Sequence, residues 1–157
     1  MIKYYQICID GIDKSGKDTL LSLLDILGEH KYVVEMIKKV FMQYCEDVKV
    51  PTNSRGLLSN IAYSNIYNRD YEYDLSKYGR VLTIYLTVEH NDWVARCKAT
   101  KEKDMTENDY YLHTKAFDDA VKLMRENGLE VMEYNTSYTT PYEIAIDILN
   151  YMGYEGD

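Results

Sequence analysis

The stretch that most constrains this chain is Gly11-Ile12-Asp13-Lys14-Ser15-Gly16-Lys17-Asp18-Thr19, set between two different kinds of apolar run. Ahead of it, Tyr4-Tyr5-Gln6-Ile7-Cys8-Ile9-Asp10 is short, apolar and β-favouring. Behind it, Leu20-Leu21-Ser22-Leu23-Leu24-Asp25-Ile26-Leu27 is apolar at helical spacing and is closed by Gly28. Strand, glycine-bounded loop and helix is the context in which successive backbone N–H groups can wrap a phosphate chain. The helix start adds unpaired donors and a partial positive charge. Lys17 supplies a mobile point charge for the β- and γ-phosphates. The usual pattern, G-x-x-x-x-G-K-[ST], has a hydroxyl after the lysine to touch Mg²⁺. Here that position is Asp18, and Thr19 comes one place later.

The rest of the chain alternates strand and helix signals. Tyr32–Ile37 reads as a second strand and Val48–Val50 as a brief one before Pro51. A helix is expected from Leu57 to about Asn68, with Leu58, Ile61, Ala62 and Ile66 as its apolar stripe. Val81–Val88 is a strand, Asn91 to about Thr100 a short helix carrying Trp93, Val94 and Cys97. Glu107–Asn127 reads as a long helix with Leu112, Ala116, Ala120 and Leu123 on one face and Gly128 as its stop. Leu129–Tyr134 is the last strand. Thr140-Pro141-Tyr142-Glu143 is a capping box with Pro at the first helical position, opening a helix to Met152 before Gly153. This alternation predicts an α/β fold, a parallel sheet with helices on both faces, in one domain spanning 1–157.

At 157 residues the chain can bury a sizeable core, and 46% hydrophobic with 28% charged residues is an ordinary globular balance. The formal net charge of −8 argues against a broad nucleic-acid or anionic-membrane surface, so any bound phosphate is held by a local cluster of positive groups. Cys8, Cys45 and Cys97 are odd in number and show no CxxC, which suits reduced thiols in a cytoplasmic protein. No signal peptide or long apolar run points to export or a membrane.

Three segments resemble the thymidylate-kinase-like branch of the P-loop nucleoside monophosphate kinases. Ile9 to Thr19 is similar to that family's E-G-x-D-x-x-G-K-[ST]-T, and its Lys-Asp-Thr ending looks like a variant in small phage-type deoxynucleotide kinases. Ser54-Arg55-Gly56-Leu57-Leu58-Ser59-Asn60-Ile61-Ala62-Tyr63 is similar to D-R-[YFG]-x-x-S-x-x-A-Y. Leu82–Val88 followed by Trp93-Val94-Ala95-Arg96 looks like the strand and helix that lead to the family's lid, here about 97–108 with Lys98, Lys101 and Lys103. The resemblance implies the three-layer P-loop kinase fold. It departs from the family between the second strand and the D-R motif, where only residues 38–53 stand in place of two helices. A second alignment sets Leu57–Gly79 on those helices and leaves no D-R motif.

The same resemblance implies the site. ATP would be held by Gly11, Asp13, Lys14, Ser15, Gly16, Lys17, Asp18, Thr19 and Arg96, with Lys17, Lys14 and Arg96 as the catalytic cations. Asp13, Arg55 and Tyr63 would bind the acceptor, Arg55 through its planar fork and Tyr63, with Tyr67, by stacking on the base; core packing is the alternative for both tyrosines. Asp10 stands where the family often has Glu, at a strand's carboxyl end, where ligands gather in open α/β sheets. Asp18 is the candidate Mg²⁺ ligand, and with Ser54 it suggests that carboxylate and hydroxyl have exchanged sides of the metal. His113 and Asp109 take no catalytic role.

The expected activity is transfer of the γ-phosphoryl of ATP to a (deoxy)nucleoside monophosphate, with Mg²⁺ as cofactor and a pyrimidine deoxynucleotide such as dTMP or dUMP as acceptor. A homodimer is a candidate assembly. The alternatives are a kinase of a nucleoside or another small acceptor, and a non-catalytic nucleotide-binding protein on a kinase scaffold.

Overall fold

The computed structural model describes residues 6–12, 14–26, 56–68, 75, 81–99 and 106–151. Among these, the elements in chain order are β1 (Gln6–Gly11), α1 (Lys17–Ile26), α2 (Leu57–Ile66), β2 (Val81–Thr87), α3 (His90–Ala99), α4 (Glu107–Glu126), β3 (Val131–Asn135) and α5 (Pro141–Tyr151). The strands and helices anticipated in these stretches are present, with ends shifted by a residue or two. The expected strands Tyr32–Ile37 and Val48–Val50, and residues 100–105 of the candidate lid, lie outside the described residues.

The three described strands form one parallel sheet in the order β1-β2-β3. Asp10 pairs with Tyr85 and Tyr85 with Glu133, so these side chains share a face. That face, with Cys8, Val81, Tyr85 and Val131, packs into one core with Leu57, Leu58, Ile61 and Ala62 of α2 and Phe117, Ala120, Val121 and Met124 of α4. The alternate residues Ile9, Ile84 and Leu86 are buried on the other side, as are Leu20 of α1 and Ile144, Ala145 and Ile148 of α5. β2 is buried on both sides along almost its whole length, which is why it reads as an unbroken apolar run rather than an alternating one. The result is a three-layer α/β fold.

One sequence expectation is corrected. Leu112 and Leu123 of α4 are 52% and 40% exposed. The buried stripe holds Tyr110, His113, Ala116, Phe117, Ala120, Val121 and Met124. The spacing of four, four and three from Leu112 to Leu123 is helical. The steps Tyr110, His113, Phe117, Ala120/Val121 and Met124 are equally so, and they carry the larger rings. Phe117 lies parallel to Tyr85 at 5.9 Å between ring centroids, and the bulk of that pair sets the rotation of the helix on the sheet.

The helix ends follow local chemistry. Thr106 and Asp109 form a reciprocal capping box at the start of α4, with Asp109 N–H donating to Thr106 Oγ1 at 3.2 Å and Thr106 N–H to Asp109 Oδ2 at 2.8 Å. The Thr106 N–H, and after it the Thr106 hydroxyl donating to the same oxygen at 3.0 Å, hold the Asp109 carboxyl below the usual carboxylate range. At α5, Thr140 Oγ1 accepts from Glu143 N–H at 3.2 Å, the side of the anticipated box that caps the helix. The start of α2 has no side-chain cap of its own; its cap comes from another element, β1.

Candidate functional site

Between β1 and α1 the chain turns through a tight loop. Ser15 N–H donates to Ile12 O at 3.1 Å, and Leu20 N–H to Gly16 O at 3.1 Å as the helix begins. Two glycines are required for distinct reasons. A Cβ on Gly11 would lie 2.4 Å from Leu86 O on the adjacent strand and 2.6 Å from Ser15 Oγ, so close approach excludes a side chain there. Gly16 has φ +106°, a conformation side chains rarely adopt. Lys14 is a lysine in the left-handed region at φ +65°, which costs about 1 kcal/mol or more and must be held by its surroundings.

Arg96 does that. From the second turn of α3 its Nη1 donates to Lys14 O at 2.7 Å and to Thr136 Oγ1 at 3.0 Å, and its Nη2 to Thr136 O at 3.4 Å. Thr136 Oγ1 in turn lies 2.7 Å from Ser15 O and 2.9 Å from Thr87 O. The guanidinium predicted to serve ATP therefore stands beside the loop, fixed to its outer backbone. Lys17 folds back over the loop, its Nζ donating to Gly11 O at 2.7 Å and reaching Ile12 O at 3.5 Å. Lys14, Ser15, Gly16, Lys17 and Arg96 are thus gathered at the carboxyl end of β1. Asp18 and Thr19 are exposed in the first turn of α1. Ser15 Oγ is buried and has no hydrogen-bond partner among the described residues.

Asp10 proves to be a structural anchor. It is fully buried, one carboxyl oxygen accepting from Gly56 N–H at 3.2 Å and from the Ser59 hydroxyl, the other from Cys8 Sγ at 3.2 Å. The carboxyl group caps α2 in place of a residue of that helix and fixes its start against the end of β1. Cys8 is pushed up well above the ordinary thiol range, first by burial and then by the neighbouring Asp10 carboxyl.

Of the acceptor residues, Asp13 and Arg55 lie outside the described residues. Tyr63 is half-buried between α2 and α4, edge-on to Phe117 and to His113 at 5.6 Å each, and stacked on Tyr67 at 6.1 Å. Tyr67 itself is 55% exposed. A cleft of about 240 Å³ opens at the carboxyl ends of β2 and β3, its walls including Ile12, Tyr110, Glu89, Asp118 and Glu133. Three carboxyl groups around it disfavour a phosphate there.

Among the described residues, no group of three or more His, Cys, Asp or Glu could hold a metal ion. Mg²⁺ commonly binds through one or two protein oxygens plus substrate phosphates, and the exposed carboxyl of Asp18, beside the loop, fits that requirement. Asp10, with both oxygens hydrogen-bonded, does not.

No protein-family model matches the chain, and no curated protein matches its sequence. Solved structures do match in shape. The YorR protein of Bacillus subtilis, in complex with phosphorylated GDP, superposes with a TM-score of 0.69 at 17% identity, over 94% of this chain and 95% of that one. The fold is that of the P-loop kinases. Deoxyadenosine kinase from M. mycoides, with bound dCTP, gives a TM-score of 0.57 at 16% identity, over 94% of this chain and 98% of that one.

Thr136 was missed by the sequence reading. The available signal was position: it directly follows the carboxyl end of β3, on the edge where ligands collect in parallel sheets. Ser59 and Gly56 were quoted only as motif letters, and their bonds to Asp10 became visible with the tertiary structure. No helix among the described residues is long and apolar enough to cross a membrane.

Proposed function

We propose that the chain is an ATP-dependent kinase that moves the γ-phosphoryl group to a (deoxy)nucleoside monophosphate, with a pyrimidine deoxynucleotide such as dTMP or dUMP as the favoured acceptor. The observation that carries this reading is the loop at the end of β1, with the Lys17 ammonium folded over it and Arg96 bonded to its outer backbone. Phosphoryl transfer asks little covalent chemistry of a protein. It asks for in-line placement, cations on the moving group and exclusion of water. Lys17 supplies one cation, and Lys14 in the same loop a second. Asp18 would hold Mg²⁺, which when bound neutralises charge on the polyphosphate. Asp13, Arg55 and Tyr63 are the proposed acceptor residues, on the resemblance quoted above. Support for a nucleotide ligand comes from the two structures of similar shape, which hold phosphorylated GDP and dCTP.

A nucleoside is the second acceptor class, favoured by the likeness to deoxyadenosine kinase. The test is ATP consumption against a panel of nucleoside monophosphates, nucleosides and no acceptor. Turnover with dTMP or dUMP supports the main reading, and turnover with nucleosides alone transfers it to the second. ATP binding without turnover on any acceptor overturns both in favour of a non-catalytic nucleotide-binding protein.

A further inference from the structure

Thr136 joins three parts of the molecule that are far apart in sequence: the phosphate loop, the end of β2 and Arg96 on α3. Its hydroxyl has one proton and two carbonyl neighbours, Ser15 O at 2.7 Å and Thr87 O at 2.9 Å. Thr87 O already accepts from the Thr136 backbone N–H at 2.8 Å. The shorter distance assigns the proton to Ser15 O, while a hydroxyl lone pair accepts from Arg96 Nη1 at 3.0 Å.

The consequence follows from the planar trans peptide. In such a unit the carbonyl of one residue and the N–H of the next point in opposite directions. With Ser15 O held toward Thr136, the Gly16 N–H is turned to the opposite side of the loop. Gly16 can follow because it tolerates φ +106°. The Thr136 methyl group would stand 3.5 Å from a Cβ at Gly16, an ordinary contact, so the two residues pack closely without crowding.

The turn carrying Thr136 is itself braced. Ser137 Oγ accepts from Glu89 N–H at 2.9 Å, Asn135 Nδ2 donates to Glu89 Oε1 at 3.0 Å, and Asn135 O accepts from Thr139 N–H at 2.9 Å. The hydroxyl is thus presented from a fixed support.

We propose that Thr136 is the positioning residue of the phosphate loop: its hydroxyl holds the Ser15 carbonyl outward, so that the Gly16 N–H is aimed at the bound polyphosphate before the nucleotide arrives. This rests on the reading of the loop as a nucleotide site, and its test reads binding rather than transfer. Affinity for the non-hydrolysable ATP analogue AMP-PNP is measured by calorimetry for the wild type, Thr136→Val and Thr136→Ser. Thr136→Val removes the bond to Ser15 O and the acceptor for Arg96 Nη1 together, which predicts at least about tenfold weaker binding, with Thr136→Ser close to wild type. In the same samples, the Gly16 amide resonance moves on nucleotide addition in the wild type and Thr136→Ser, and moves much less in Thr136→Val.

Equal affinities for Val and Ser variants overturn the proposal, as does a lower melting temperature in Thr136→Val with unchanged affinity. Should Thr136→Val not fold, Thr136→Ala against Thr136→Ser makes the same comparison, and equality again overturns it. A wild type that binds AMP-PNP but transfers to no acceptor removes the kinase reading and leaves Thr136 in place. A wild type that binds no nucleotide removes both.

Discussion

Arg96 donates to the main-chain oxygen of Lys14 at 2.7 Å, across 82 residues of sequence. Lys14 is in the left-handed conformation, so this bond steadies a strained point of the β1–α1 loop from outside it. The planar fork meets Lys14 O and Thr136 together, which a single ammonium cannot do in the same geometry. Arg96→Lys is therefore expected to weaken nucleotide binding about tenfold despite keeping the charge. Titration with AMP-PNP checks this; wild-type affinity in Arg96→Lys would show that charge alone suffices.

Lys17→Ala tests the cation inside the loop. Removing it should lower kcat/KM for ATP by on the order of a hundredfold or more, as for other preorganised groups facing a developing charge. Its present bond to Gly11 O is half-buried and made to a carbonyl that stays otherwise in place, so the denaturation midpoint should move little. Steady-state kinetics and urea unfolding on the same preparation separate the two effects.

Asp18→Ala addresses the metal. If its carboxyl group is the protein's contribution to Mg²⁺, half-maximal turnover should need at least about tenfold more Mg²⁺. This damage to metal-dependent turnover should far exceed any damage Ser54→Ala does to the fold. An unchanged Mg²⁺ dependence in Asp18→Ala would sink the assignment.

Asp10→Ala should damage the fold. The substitution strands Gly56 N–H and the Ser59 hydroxyl in a fully buried place and removes the cap of α2. Unsatisfied buried donors predict a loss of about 2 to 4 kcal/mol, read from the urea midpoint. A loss below about 1 kcal/mol would mean that water replaces the carboxyl group.

Alkaline pH should weaken the protein. Tyr85 is pushed well above its ordinary range by burial first and then by Asp118, to which its hydroxyl donates at 2.9 Å. Tyr134 is raised as well, by burial and by Asp147. In each case the fold favours the neutral phenol. Their contribution is thus complete below the unfolded tyrosine value of about 10 and is lost as pH rises above it. Cys8, also raised, adds the same slope from about pH 8.5. Urea midpoints measured from pH 7 to 11 should fall in that limb, and less steeply in Tyr85→Phe. An identical slope in that variant would remove Tyr85 from the account.

Much of the fold was written locally. The loop Gly11–Thr19, the apolar run Val81–Thr87 and the helix Pro141–Tyr151 each combine a periodicity with a start or stop residue, and each formed where expected. The rotation of α4 was not local. Two helical stripes coexist in Glu107–Glu126, and the choice fell to packing of Phe117 on Tyr85 across the sheet. Tyr63 has the same lesson: a tyrosine near a D-R-like motif says nothing of whether its ring meets a base or Phe117, and its described contacts are with Phe117, His113 and Tyr67.

The sequence by itself determined that a strand, a glycine-bounded loop and a helix carrying Lys17 would follow one another, because backbone freedom, periodicity and helix-start chemistry act within a few residues. It also determined which residue types stand at that loop. Only the tertiary structure decided that Asp10 caps a helix 46 positions away through Gly56, and that the Thr136 hydroxyl meets the main-chain oxygen of Ser15, 121 positions away. Those bonds depend on which strands become neighbours in a parallel sheet. That choice is made by the summed burial of many side chains, and no single segment of the chain contains it.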